Sequence, residues 1–101
     1  MAYQVRLMQE AQDHLRALPA RQQRLVRDGI RASLVQQPTV TTRNRFPMGP
    51  NPVAGWELRV QALRVYYDVE GDEVLVRAVG VKRGHRVFIG GEEADLRGEA
   101  T

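Results

Sequence analysis

The stretch WELRVQALRVYYDVEGDEVLVRAVGV, residues 56 to 81, constrains this chain most, because it can be little other than a three-stranded meander. Branched and aromatic residues recur in short runs, WELRV (56 to 60), LRVYYDV (63 to 69) and EVLVRAVGV (73 to 81), separated by gaps the size of turns. With Gln61 and Ala62 as a two-residue turn, Val60 pairs with Leu63, Arg59 falls opposite Arg64, Leu58 opposite Val65 and Glu57 opposite Tyr66. Taking Gly71 and Asp72 as the second turn sets Tyr66 opposite Arg77 and Arg64 opposite Val79. Residues two apart share a face of a strand. One face thus collects Glu57, Arg59, Arg64, Tyr66 and Arg77. The other collects Leu58, Val60, Leu63, Val65, Tyr67, Val76 and Ala78, the natural seat for helices.

Like charges directly opposite each other across a ladder are destabilising, so Arg59 and Arg64 need compensation. In one reading Glu57 and the arginines form a solvated polar network, which contributes little to stability. In the other, one acid among three guanidiniums leaves excess positive charge around a tyrosine, and the face awaits an anion. The residue pattern leaves both open.

Upstream, AYQVRL (2 to 7) alternates Tyr3, Val5 and Leu7 with polar positions, the period of a half-buried strand. MQEAQDHLRAL spaces Ala11, Leu15 and Leu18 three or four apart, which predicts a short amphipathic helix ending at Pro19. Pro19 suits the first turn of a second helix that carries Leu25, Val26, Ile30 and Leu34 on one side and closes at Pro38. The two should form an antiparallel helical hairpin. Residues 38 to 55 hold four of the five prolines and no sustained period, so they read as a long loop of the kind that is often functional. RVFIG (86 to 90) offers a last short strand, and the acidic tail from 92 to 101 reads as frayed. The order predicts an α+β fold: an N-terminal strand and helical hairpin on one face of an antiparallel sheet of about four strands, the other face open.

At 101 residues the chain is long enough for one small domain with one modest core. The absence of cysteine excludes disulfides, thiolate metal sites and cysteine nucleophiles. The N-terminus meets charges within a few residues, and no stretch approaches the roughly 20 apolar residues of a membrane span. The expectation is a cytoplasmic protein. Lys82 is the lone lysine among 15 basic residues, so positive charge is carried almost wholly by guanidinium forks that grip phosphate or carboxylate. The net charge of +3 permits a nucleic-acid or an acidic protein partner and requires neither.

WELRVQALRVYYDVEGDEVLVRAVGVKRG resembles the signature region of the RelE/ParE superfamily of bacterial toxin–antitoxin toxins. Its "-LR-…-YRv-Yd-" segment is followed there by a strand ending in "-v-Kr-". The upstream half agrees, with a first strand Y-V-L, an A--L--L helix and a second helix ending L---P, so the resemblance covers roughly residues 3 to 90. It implies two helices packed on a curved antiparallel sheet, neutralisation by a cognate antitoxin, and no cofactor. RelE-like members cleave messenger RNA on the ribosome, whereas ParE-like members poison DNA gyrase. A non-catalytic relative serving only as an antitoxin-binding co-repressor is a third possibility.

For the nuclease, the resemblance places Arg64 at the scissile phosphate and Arg83 at a second basic position. The chemistry is metal-free: a base frees the ribose 2′-oxygen to attack phosphorus, an acid protonates the leaving 5′-oxygen, and cations stabilise the phosphoryl charge. His85 is the acid or base candidate, since an imidazole titrates near neutrality. Arg59, Arg77, Tyr66 and Lys82 would support phosphate, with Arg43 and Arg45 standing in for the lysine-rich patch of RelE itself. The C-terminal tyrosine of several nucleases is replaced here by Phe88, which transfers no proton. His14, beside Leu15 on the first helix, reads as structural or exposed. Arg21, Arg24, Arg27 and Arg31 line one stripe of the second helix, ordinarily a solvated face, alternatively a contact for ribosomal RNA or an acidic antitoxin segment. Gly29, at mid-helix, implies a close approach by a neighbouring element.

Overall fold

The computed structural model describes residues 2–96. The chain begins with β1 (Gln4–Leu7), followed by α1 (Gln9–Arg16) and α2 (Ala20–Ser33). Strands β2 (Arg45–Pro47), β3 (Trp56–Val60), β4 (Leu63–Glu70), β5 (Glu73–Arg83), β6 (Arg86–Ile89) and β7 (Glu92–Glu93) complete it. The described residues form one seven-stranded sheet in the order β2-β3-β4-β5-β6-β7, with β1 joining the far edge of β5 in parallel. Two strands exceed expectation: β2 arises inside the long loop and pairs with β3, and β7 forms where the frayed tail was expected to begin. The rest of that tail, 97–101, lies outside the described residues.

The helices form where the apolar spacing places them. Ala11 and Leu15 bury one side of α1, and Val26 and Ile30 one side of α2. Pro19 precedes α2 with φ −57°, a value its ring fixes in advance. The second helix stops at Ser33, short of Pro38, and passes into turns in which the Val35 carbonyl accepts the Tyr3 N–H at 2.7 Å. These side chains pack with Leu34, Leu58, Leu63, Val65, Tyr67, Val74, Val76 and Val79 into the main core. Gly29 permits the tight seat of α2: a Cβ there would lie 2.6 Å from Val60 Cγ2. The Tyr67 hydroxyl donates to the Pro38 carbonyl at 2.6 Å, pinning the loop start to the sheet.

The β3–β4 hairpin has the expected register, Arg59 opposite Arg64 and Glu57 opposite Tyr66. The β4–β5 register differs. It shifts between Tyr66 and Tyr67, so Tyr66 faces Ala78, Arg64 faces Gly80, and Arg77 is the extra residue of a bulge. The expected pairs Tyr66–Arg77 and Arg64–Val79 are thereby corrected. The bulge resets the alternation, sending Ala78 to the side of Tyr66 and returning Val79 to the helix side. It occurs where the far edge of β5 has no strand partner among the described residues, since β1 reaches only Val76 and β6 starts at Gly80. There α1 supplies the missing acceptor: His14 Nδ1 takes the Val79 N–H at 3.3 Å, the structural role the sequence suggested.

The face away from the helices is not open throughout. Asn51 accepts the N–H groups of Val53 and Ala54 and donates to the carbonyls of Gly49 and Ala54, folding the loop upon itself. Gly55 N–H then donates to Asp68 Oδ1 at 2.8 Å, docking the loop on β4. Met48, Val53 and Ala54, with Val87, Ile89 and Leu96, close over Tyr66 and Ala78. None of the helices among the described residues is long and apolar enough to cross a membrane.

Candidate anion-binding face of the sheet

Above that covered patch, β3 and β4 present a charged row. Glu57 is 6% exposed and Arg64 5%, so both are buried charges that demand partners. Glu57 Oε2 lies 2.7 Å from Arg59 Nε and 3.9 Å from Arg64 Nε, one carboxylate oxygen against two guanidiniums. This is the compensation that the facing arginines require.

Arg64 is held inward. Its Nη1 donates to the carbonyls of Gln61 at 2.8 Å and Leu63 at 2.9 Å. Gln61 has φ +56°, a left-handed conformation that a side-chain-bearing residue adopts reluctantly, so Arg64 ties down a strained turn. Burial first, and the facing Arg59 second, lower the Arg64 pKa from its usual value, while Glu57 and Tyr66 oppose the shift.

Arg59 is the accessible member, with 47% of its side chain exposed. Its guanidinium carbon sits 4.9 Å above the centre of the Phe46 ring, a cation–π contact that orients the head. Nothing in the spacing of RNRFP marked Phe46, because β2 meets β3 only in the folded sheet. The Tyr66 hydroxyl is buried beside Glu57 without completing a hydrogen bond of good geometry. Burial, then the neighbouring carboxylate, push its pKa up.

The other residues singled out by sequence separate into three groups. Lys82 is exposed on the same face, two positions beyond the Gly80 that faces Arg64. Arg77 also lies there but is engaged, its Nε 2.8 Å from Asp68 and its Nη2 3.6 Å from Glu70. Arg45 is 7% exposed and turned into the structure, its Nε donating to Val40 O at 2.6 Å and its Nη1 to Ser33 O at 2.7 Å. In this structure it is a clamp between loop and helix rather than a surface cation. Arg43 is exposed in the turn before β2.

Arg83 and His85 are not brought to Arg64. Arg83 follows Val79 and Val81 on the helix side, over Phe88 at 6.0 Å and beside Leu18. It stands three positions, roughly 10 Å, along β5 from the rung of Arg64. His85 is exposed in the β5–β6 turn and lines a separate cleft with Val87 and Leu96. No three metal-ligating side chains converge among the described residues.

Comparison with known proteins finds no matching family model and no matching curated protein. Among solved structures, a chain of the toxin-antitoxin complex RelBE2 from Mycobacterium tuberculosis superposes with a TM-score of 0.70. The match covers 81% of this chain and all of that one, at 21% identity. This chain shares its fold with that chain of the complex. At that identity the likeness is one of architecture, and this chain carries its own side chains on β3 and β4. Its charged row, with one acid shared between two arginines, is read from this chain alone.

Proposed function

We propose that this protein is the toxin of a toxin–antitoxin pair and acts as a metal-free endoribonuclease on messenger RNA at the ribosome. The observation that carries the reading is the charged row of β3 and β4 on a RelE-like fold. Arg59 and Lys82 are its exposed cations, and Arg64 anchors it from below.

In this mechanism the 2′-oxygen loses its proton and attacks the adjacent phosphorus. The bond to the 5′-oxygen breaks, and that oxygen takes up a proton, leaving a cyclic phosphate and a free hydroxyl. Guanidinium donors stabilise the extra charge on the phosphoryl oxygens as it develops. The burial of Arg64 makes it the fixed member of the row, held by the turn and facing Glu57, and leaves Arg59 as the exposed member that meets the phosphate first. His85 stands apart from this row in the β5–β6 turn, so the proton donor and acceptor are not assigned to it. The partner is a cognate antitoxin.

The dispersal of Arg83 and His85 from the row favours a second reading, a toxin that acts by binding alone. Its target would be DNA gyrase, or its role that of a co-repressor held by the antitoxin. Expression of wild type and Arg59→Ala, with transcripts mapped at nucleotide resolution, separates the readings. Cleaved transcripts with wild type and intact ones with Arg59→Ala support the nuclease. Growth arrest with intact transcripts and stalled supercoiling overturns it in favour of gyrase.

A further inference from the structure

The geometry of Glu57 points to a function beyond compensating charge. A single carboxylate oxygen lies against the Nε atoms of two facing arginines. That is the place a phosphate oxygen would take between two guanidinium forks. The two cations outnumber the one anion, and with Glu57 and Arg64 buried and Arg59 half exposed the imbalance is felt more strongly than in water. Arg64 cannot turn away, because two carbonyls hold its Nη1. Arg59 rests on Phe46 and is exposed on its outer side.

We infer that Glu57 is a built-in counterion occupying an anion site between Arg59 and Arg64, which phosphate-type ligands enter by displacing its carboxylate. The inference rests on the reading of this face as phosphate-binding, and is independent of RNA cleavage. Glu57 keeps the row neutral enough to fold and stay closed in the absence of ligand. A phosphodiester, with more oxygens to share between the two forks, takes its place. The native chain therefore binds free phosphate weakly, and removing the carboxylate opens the site.

The test is Glu57→Ala, which removes the charge and leaves room for a tetrahedral anion. Its thermal midpoint is followed while inorganic phosphate replaces chloride at constant ionic strength, since a ligand of the folded state raises the midpoint by mass action. The expected result is phosphate affinity at least about tenfold above wild type, and return to wild-type behaviour in Glu57→Ala/Arg59→Ala. Equal phosphate responses in wild type and Glu57→Ala overturn the inference. Should Glu57→Ala be unfolded in chloride, recovery of its circular dichroism in phosphate supports the inference and failure to recover overturns it. A chain that gains phosphate binding but never cuts transcripts loses the nuclease reading and keeps this one.

Discussion

Arg59 and Arg64 stand directly opposite each other across the β3–β4 ladder, with the carboxylate of Glu57 2.7 Å from the first and 3.9 Å from the second. Two like charges at a cross-strand pair are a local conflict. Here the conflict is resolved by a third residue on the same face. The resolution divides the labour: Arg64 is buried and bound to carbonyls, while Arg59 is left to face solvent.

That division sets the stabilities of the two alanine variants apart. Arg64→Ala removes two hydrogen bonds from a charged donor and leaves Glu57 with one partner, so it should cost about 2 to 4 kcal/mol in urea denaturation. Arg59→Ala, whose head is half exposed but whose Nε is the nearer partner of buried Glu57, should cost less, about 1 to 2 kcal/mol. Arg64→Ala with wild-type stability would refute the clamp on the Gln61 turn. The resemblance places Arg64 at the phosphate, but its burial makes Arg59→Ala the cleaner probe of activity.

Arg45 should behave as a core residue despite its charge. Arg45→Ala unties Val40 from β2 and leaves the Ser33 carbonyl at the end of α2 without its cationic donor. The expected loss is about 2 to 4 kcal/mol, with faster amide exchange confined first to the loop before β2. Exchange unchanged in that loop would count against the clamp.

Gly29 should resist the usual helix improvement. Alanine at an exposed helix position gains up to about 1 kcal/mol over glycine. Here the new methyl would meet Val60 Cγ2 at 2.6 Å, so Gly29→Ala should instead destabilise, by about 1 to 2 kcal/mol. Gly29→Ala/Val60→Ala should recover part of that loss in a double-mutant cycle. Strict additivity would show that the two sites do not press on each other.

The alkaline limb of stability should be steep. Burial pushes both Tyr66 and Tyr67 above the ordinary phenol range; Glu57 reinforces this for Tyr66, and Arg45 opposes it for Tyr67. Unfolded tyrosines release their protons near pH 10 while the folded ones retain them, so the native state binds more protons above that point. Stability is therefore full below about pH 10 and falls as pH rises, by about 1.4 kcal/mol per pH unit for each tyrosine. Urea melts between pH 9 and 11 should show it, and Tyr66→Phe should remove about half of the slope. A flat profile would mean that these hydroxyls ionise freely in the fold.

Much of this was legible in the chain itself. The alternation in residues 56 to 69, with a two-residue turn at Gln61 and Ala62, determined the β3–β4 register and set the two arginines face to face. The helical spacing of Ala11, Leu15, Val26 and Ile30 determined which sides of α1 and α2 are buried, because both periods are local properties of the backbone. Gly29 announced a close approach, though not that Val60 was the neighbour.

Other features needed the whole molecule. The bulge beside Tyr66 follows from where β1 stops and β6 starts along β5, and β1 reaches that edge only after the sheet is assembled. The inward turn of Arg45 and Arg64 depends on carbonyls that the fold places within reach, two of them 12 and 5 residues from Arg45 in sequence. The loop over Tyr66 closes a face that alternation alone leaves open. Strand and helix periods act between near neighbours, so the sequence by itself determined faces and one register. Which guanidinium is buried and which meets solvent was decided by the tertiary structure, because a charged group is retained inside only where distant segments supply its acceptors.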